Sequence, residues 1–291
     1  MPTFDTPRPI ALTVELGVGD IRITASDRSD TIVEVRPSDR ESESDTDAAA
    51  RTRVEFGDDR LLVKGPNVRR SIGWGRGRHS IDVVIDVPAD SQLAGSAGAA
   101  ALRTHGPLGA CEYKIAAGDI DVDEAASVRL RTGAGDIGAD HVAGDADVAT
   151  SSGAVRLGRV DGAATVKNSN GNTSIAGVDG DLRVNAANGN VAVGDAHGDA
   201  FVKTANGTIE VAAVIRGSVV AETAVGKVDI GVADGVAAWL DLNTNFGRVH
   251  SELGQSEKPA AGEESVEVRA RSAFGDITIR RAHLDSARRA S

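Results

Sequence analysis

The chain has 291 residues, of which 41% are hydrophobic and 26% charged, a composition that excludes disorder and indicates one large domain or two small ones. Its net charge of −11 argues against nucleic-acid binding through phosphates, and its single cysteine excludes a disulfide scaffold and a cysteine-based zinc site. Aromatic residues make up only 3% while glycine reaches 34 residues, so the core must be narrow and filled with small aliphatic side chains.

The N-terminal segment, residues 1–9, has neither the basic region nor the apolar stretch of about 7–15 residues that a secretory signal needs. No run in the chain approaches the roughly 18 consecutive apolar residues of a membrane helix. We therefore expect a soluble, cytoplasmic protein without a membrane span.

A strand pattern begins near the N-terminus, where Leu12, Val14, Ile21 and Ile23 alternate with other residues on either side of Gly19. Residues 29–89 then depart from the later periodicity and contain four longer strand patterns, Thr31–Arg36, Arg53–Phe56, Leu61–Lys64 and Ser80–Val87. We expect antiparallel strands that widen or cap the N-terminal end, because an uncapped sheet end invites aggregation. The acidic stretch Asp39–Asp47 is predicted to be a solvated loop.

A basic loop precedes the last of these strand patterns. It lies between Asn67 and Ser80 and carries four arginines and a tryptophan, namely Arg69, Arg70, Trp74, Arg76 and Arg78. On an acidic chain, such a local cluster can contact an anionic partner or a second subunit. We predict that these five residues bind a partner, with a plain hairpin tip as the alternative.

From residue 90 to residue 280 the sequence repeats with a period near 18 residues. One glycine column consists of Gly118, Gly135, Gly153, Gly171, Gly189, Gly207, Gly226, Gly247 and Gly275. In the unit Ser127–Gly144, apolar residues stand at positions 2, 4, 11 and 13, as Val128 and Leu130 do, and most later units repeat this pattern. The two-residue alternation predicts two short strands per repeat, each with one buried face.

The repeat indicates a right-handed parallel β-solenoid with about 18 residues per coil and strands about 4.8 Å apart. No 3.6-residue stripe supports a helix, and constant inward columns fit a chain winding in one direction better than hairpins. The right hand follows from the usual handedness of parallel connections. We predict a single domain over residues 1–291, with an antiparallel cap region at 29–89, regular coils at 90–280, and a tail at 281–291.

Recurring Asn-Gly pairs mark one corner of the coil. The residues concerned are Asn170 and Gly171, Asn188 and Gly189, and Asn206 and Gly207. Both residue types tolerate the left-handed backbone region that such a corner needs. We predict that they are structural, with asparagine side chains hydrogen-bonded along the column, and ligand binding is the alternative.

Several segments resemble a known family. The segments Gly118–Val122, Gly135–Ile137 and Gly275–Ile279, with the lead-in Gly19–Ile23, are similar to bacterial β-strand-repeat proteins known as putative adhesins, a domain of unknown function. The resemblance spans roughly residues 10–280. It implies the repeat fold and surface display in an adhesive role, and the family offers no catalytic motif to carry over.

Few residues combine into a catalytic or metal-binding pattern. Asp161 and Asp179 share a column that a divalent cation could bridge, but the column ends at His197, so we interpret both as surface carboxylates. A threonine column at position 6 is interrupted by Asn168 and Ala186, which favours internal packing over an ice-binding array.

No nucleophile elbow, phosphate loop or metal-binding cysteine–histidine spacing occurs, so we expect no cofactor and no enzymatic activity. The leading hypothesis is a non-enzymatic scaffold, adhesin-like, that binds a protein or polymeric partner or associates with itself. The alternative is a parallel β-helix that binds or cleaves carbohydrate, which would need paired carboxylates in a groove to cleave it.

Overall fold

The computed structural model describes residues 1–66, 79–253 and 265–282. These residues fold into 24 β-strands and one α-helix, and they confirm the predicted all-β solenoid with parallel strands in its regular coils. The chain divides into two compact units, Met1–Ser151 and Ser152–Ser291, which are described one at a time.

The first unit contains the helix α1 (Glu43–Ala50) and the strands β1 (Thr3–Asp5), β2 (Ala11–Ser26), β3 (Asp30–Pro37), β4 (Arg53–Gly57), β5 (Arg60–Lys64), β6 (Ile81–Pro88), β7 (Gln92–His105), β8 (Pro107–Ala117), β9 (Ile120–Ala134), β10 (Ile137–Val142) and β11 (Ala146–Ser152). The second unit contains the strands β12 (Val155–Val160), β13 (Ala164–Asn170), β14 (Thr173–Val178), β15 (Leu182–Asn188), β16 (Val191–Ala196), β17 (Ala200–Asn206), β18 (Ile209–Val214), β19 (Gly217–Val225), β20 (Val228–Ala233), β21 (Ala237–Phe246), β22 (Val249–Ser251), β23 (Ser265–Phe274) and β24 (Ile277–Ala282).

Strand β2 is the first strand of the parallel stack in the first unit. It pairs in parallel with β7 over most of its length, with Leu12 opposite Leu93, and it pairs with β5 and β6 as well. Strands β8, β9 and β10 continue the parallel stack. Strand β2 reaches 16 residues, longer than predicted, because pairing continues through the corner at Gly19, where φ is +140°.

An antiparallel layer lies against the first coils, in agreement with the predicted cap region. Strand β3 pairs antiparallel with β6 and β1, and β4 pairs antiparallel with β5. Because β5 and β6 also pair in parallel with β2, they join this layer to the solenoid. Phe4 and Phe56 pack together in the layer, with their ring centroids 5.0 Å apart.

The predicted acidic loop at Asp39–Asp47 is wrong in part, because α1 begins there. Ser42 caps the helix by accepting a hydrogen bond from the Asp45 amide at 3.3 Å, the usual role of serine at this position. Asp45 is buried, and its carboxylate accepts hydrogen bonds from the amides of Ser80 and Asp39. Burial would raise the pKa of Asp45, but these amides hold it below its usual value. The carboxylate therefore ties the helix to the cap layer.

The coils of the second unit stack in an 18-residue register. Leu182 lies opposite Ala200 in one set of strands, and Ile175 lies opposite Val193 in the other. The inward side chains are small and almost completely buried, as Val184 and Val202 are. One coil buries only a few such side chains, each worth roughly 1.5–3 kcal/mol, so its stability depends on its neighbours.

The last three coils do not stack in chain order. Strand β19 pairs with β23, and β23 pairs with β21. On the other side, β20 pairs with β24, and β24 pairs with β22. Residues 265–282 therefore lie between the coil 217–233 and the coil 237–251. We call residues 237–251 the outer coil.

Candidate interaction surface

The asparagine corner of the second unit is a hydrogen-bonded ladder. The amide of Asn188 donates to the side-chain oxygen of Asn170 at 2.9 Å, and that of Asn206 donates to Asn188 at 2.9 Å. The glycines that follow, Gly171, Gly189 and Gly207, have φ values of +139°, +133° and +154°. The structure places all six predicted corner residues in this ladder, where the side-chain amides pair with one another.

Position 6 of each coil supports the same corner from inside. The hydroxyls of Thr132, Thr223 and Ser272 each donate to the carbonyl of a corner glycine in the neighbouring coil at 3.0 Å. Asn168, which interrupts the threonine column, donates to Gly153 at 3.1 Å and so makes the same contact with an amide. These side chains are buried and satisfy backbone carbonyls, so they present no flat polar array to solvent.

The carboxylate column of Asp161 and Asp179 is bridged by an arginine. Arg159 donates to Asp179 at 2.6 Å and to Asp161 at 3.2 Å, and His197 lies 2.9 Å from Asp179. The hydrogen bond with Asp179 raises the pKa of Arg159 above its usual value, so both carboxylates face a permanent cation. Among the residues that the structure describes, no cluster of three or more histidine, cysteine or acidic side chains could hold a metal ion.

The predicted partner-binding residues Arg69, Arg70, Trp74, Arg76 and Arg78 lie outside the described residues. The candidate surface among the described residues is on the coils of the second unit.

A groove with a volume of about 890 Å³ runs across five coils of this unit, from Asn185 to Arg271 and Asn243 in the outer coil. We call it the corner groove. Two outward-facing columns line it, the position-5 column and the position-7 column, where four coils carry alanine. The lining residues are Asn185, Ala186, Ala187, Lys203, Thr204, Ala205, Glu222, Thr223, Ala224, Asn243, Asn245, Arg271, Ser272 and Ala273.

The position-5 column of the corner groove carries charges of alternating sign. Lys203 donates to Glu222 at 3.2 Å, and Arg271 lies 3.8 Å from the Asp241 carboxylate. Lys203 and Arg271 are each 57% exposed, so both cations remain available to a ligand. Glu222 is the single carboxylate among the lining residues, which leaves this groove without a pair of carboxylates for acid–base cleavage.

Exposed apolar side chains follow directly after groove residues in the last three coils of the stack, as Phe246 follows Asn245 and Phe274 follows Ala273. The asparagine column continues into Val225, Phe274 and Phe246, which lie opposite one another in register. The two phenylalanine rings stack with centroids 4.9 Å apart, and they are 54% and 68% exposed. Trp239 in the outer coil is 58% exposed. Trp239 stands near the other end of β21 and is separate from this pair. In a chain with only 3% aromatic residues, the exposed stacked pair of Phe246 and Phe274 is a candidate binding surface.

Sequence reasoning missed this surface, although one signal was present. Phe246 and Phe274 occupy the corner column that is asparagine in earlier coils, and an apolar residue at an exposed corner position has no packing role. The corner groove had no such signal, because the residues that line it recur at ordinary outward positions of the coil pattern.

The family model Toastrack DUF4097 matches residues 10–280. No curated protein matches the chain. Among solved structures, the chain is similar to a putative cell adhesion protein from Clostridium sporogenes at 14% identity, covering 96% of this chain and 98% of that one with a TM-score of 0.23. It is also similar to a putative adhesin from Parabacteroides distasonis at 14% identity, covering 95% of each chain with a TM-score of 0.38.

A third similar structure is a putative lipid binding protein from Parabacteroides distasonis, at 11% identity, covering 98% of this chain and 96% of that one with a TM-score of 0.32. Within the parts of the chain that the structure describes, no helix combines the length and hydropathy needed to cross a membrane.

Proposed function

This chain belongs to the Toastrack DUF4097 family, and from this premise we propose that it is a non-enzymatic scaffold that binds an extended polymeric partner in the corner groove. The match over residues 10–280 confirms the resemblance drawn from the Gly-Asp-Ile repeats. The observation that carries the proposal is the groove itself, lined by a column with charges of both signs and a column of alanines, with the stacked rings of Phe246 and Phe274 directly after its last residues in the chain.

A polypeptide segment is the partner that the groove suits best. Five coils at about 4.8 Å spacing give a length of about 19 Å, which an extended peptide covers with about six residues. Lys203, Glu222 and Arg271 offer charges of both signs to such a segment, and Phe246 and Phe274 offer an apolar anchor. The single carboxylate of the groove supports binding without catalysis.

The experiment compares Lys203→Glu with Lys167→Glu in affinity capture from the native cells, followed by quantitative mass spectrometry. Both lysines stand exposed at position 5, but only Lys203 lines the groove, so Lys167→Glu is the matched control. We expect the partner to be recovered equally by wild type and Lys167→Glu, and about ten-fold less by Lys203→Glu. Equal recovery by both variants would contradict the proposal.

Carbohydrate binding is the second candidate, favoured by the stacked pair of Phe246 and Phe274, since aromatic faces can pack against sugar rings. A glycan array with wild type and Phe246→Ala/Phe274→Ala tests it, and binding lost only in the double variant would support it. Polysaccharide cleavage is tested with Glu222→Gln, and product release by wild type that this variant abolishes would overturn the non-enzymatic proposal.

The cellular location is part of the proposal. The composition and hydropathy of the chain lead us to expect a cytoplasmic protein, whereas the adhesin resemblance implies surface display. Fractionation of the native cells with protease protection distinguishes the two locations.

A further inference from the structure

The outer coil is the last coil of the stack in the described part of the chain. Its free edge carries backbone amides of the kind that inner coils use to pair with the next coil. In the inner coils, the amide at position 2 donates to the next coil, as Ala164 does to Asp181 and Leu182 does to Asp199, both at 2.8 Å. Leu240 occupies this position in the outer coil. Among the described residues no strand lies beyond β21, so the edge that carries the Leu240 amide has no strand partner.

The second strand of the outer coil repeats this feature. In the coil 217–233, Gly226 donates to Phe274 at 2.9 Å and Val228 donates to Asp276 at 3.0 Å. The corresponding amides of the outer coil belong to Gly247 and Val249. They lie on the same unpaired edge in the described part of the chain, so the whole coil ends as an open strand template.

Apolar side chains line the inner face of this edge. Leu240 and Leu242 are only partly buried, whereas Val268 and Ala270, which lie opposite them in β23, are completely buried. Val249 is 47% exposed. The outer coil therefore offers both backbone pairing and apolar area to whatever covers it, the two contributions that strand addition requires.

The charge of the outer coil favours a second copy of this chain. The chain carries a net charge of −11, so two copies repel each other over most of their surfaces. Residues 237–251 contain one acidic and one basic side chain, Asp241 and Arg248, and have no net charge. Asp241 also lies 3.4 Å from Arg269 and 3.8 Å from Arg271 of its own chain. Two copies can approach here with little electrostatic cost.

We propose that β21 pairs antiparallel with β21 of a second copy, in a two-fold arrangement centred on Leu242. In this register Leu240 meets Thr244 of the other copy, and the leucines of both inner faces close into one core. On the outer face, Asp241 meets Asn243 and Trp239 meets Asn245, so no like charges are opposed. This self-complementarity selects a second copy over an unrelated strand.

The first test is sedimentation velocity on the full chain from about 1 to about 100 μM, a range over which mass action reveals a micromolar dimer. We expect wild type to dimerise with concentration and Leu240→Lys to remain monomeric, because an inward charge blocks an edge strand. Val225→Lys is the matched control, since it places the same charge at a 50% exposed apolar site away from the edge, and it should dimerise like wild type.

A second measurement keeps the proposal testable if Leu240→Lys loosens the outer coil. Leu242→Cys places a thiol at the centre of the two-fold pair, where the two Cα atoms would lie about 5.5 Å apart, within disulfide range. The native Cys111 is 1% exposed and cannot compete. We expect oxidation to link Leu242→Cys into dimers, with no dimer above background for the exposed control Lys203→Cys.

A monomer at every concentration, or equal cross-linking by both cysteine variants, would overturn the proposal. Dimerisation that Val225→Lys abolishes as completely as Leu240→Lys would overturn it too. None of these outcomes depends on ligand capture by the corner groove, so the two proposals fail independently.

Discussion

A corner glycine lies close to the coil before it and hydrogen-bonds to the coil after it, as Gly189 shows. The Gly189 carbonyl accepts a hydrogen bond from Thr204, and its amide donates to Asn206 in the next coil at 2.9 Å. A Cβ atom at Gly189 would lie 2.1 Å from the Gly171 carbonyl oxygen, and the φ of +133° is strained for any other residue. The conformation and the close approach of the coils therefore both require glycine.

We expect Gly189→Ala to destabilise the second unit by at least about 3 kcal/mol, since strain and a backbone clash add together. Gly177→Ala is the matched control, because a Cβ atom there meets nothing closer than 3.9 Å and the residue lies within β14. The control should be neutral or slightly stabilising. Urea unfolding of both variants measures the difference, and similar midpoints would show that the corner can open without cost.

Cys111 gives the first unit a dependence on alkaline pH. Burial raises the pKa of this thiol from 9.0 to about 12. The unfolded chain therefore loses the thiol proton first, and the thiol's contribution to stability is full below pH 9 and lost as pH rises toward 12. We expect the free energy of unfolding to fall by about 1.4 kcal/mol per pH unit from this group in that range.

Cys111→Ala removes this contribution, so the difference in stability between wild type and variant should shrink steadily above pH 9. Denaturant unfolding at several pH values measures it. A difference that stays constant between pH 8 and pH 11 would mean that the thiol is not protected by burial.

At the scale of the element, the outer coil has one neighbour where inner coils have two. Strands β21 and β22 pair with β23 and β24, and their inner residues are only partly covered. We therefore expect amides of β21 to exchange with solvent much faster than those of β23, by about a hundred-fold or more in monomer conditions. Hydrogen exchange with mass spectrometry at low concentration measures both strands, and equal protection would contradict the pairing order.

The sequence predicts the coil well because its inward columns and corner glycines are local and repeat. The valines at positions 2 and 4, the asparagine ladder and the period of 18 all follow from residues within one or two coils of each other. The exchanged order of the last coils does not follow from such local residues, because Val268 and Leu240 stand in similar apolar patterns. On the sequence alone, either coil could follow β19. Helix α1 is not predicted, because its N-cap Ser42 stands within a stretch whose acidic residues are typical of a solvated loop.

At the scale of the whole molecule, the charge of −11 opposes association while the outer coil favours it. Added salt screens long-range repulsion with a Debye length of about 10 Å at 0.1 M, and it leaves strand pairing and apolar contact intact. We expect the dimer to become several-fold tighter between low salt and about 0.3 M salt. Sedimentation at both salt concentrations measures this, and a dimer that salt weakens would indicate interfacial ion pairs instead.

The insertion of residues 265–282 between two earlier coils also sets an order of events during synthesis. When residues 237–251 leave the ribosome, the segment that they pair with has not yet been translated. They lack their native partner, and carry the exposed Trp239 and Phe246, until residues 265–282 have been translated. A nascent chain stalled before that point would expose an unfinished apolar strand, the kind of segment that chaperones and proteases recognise.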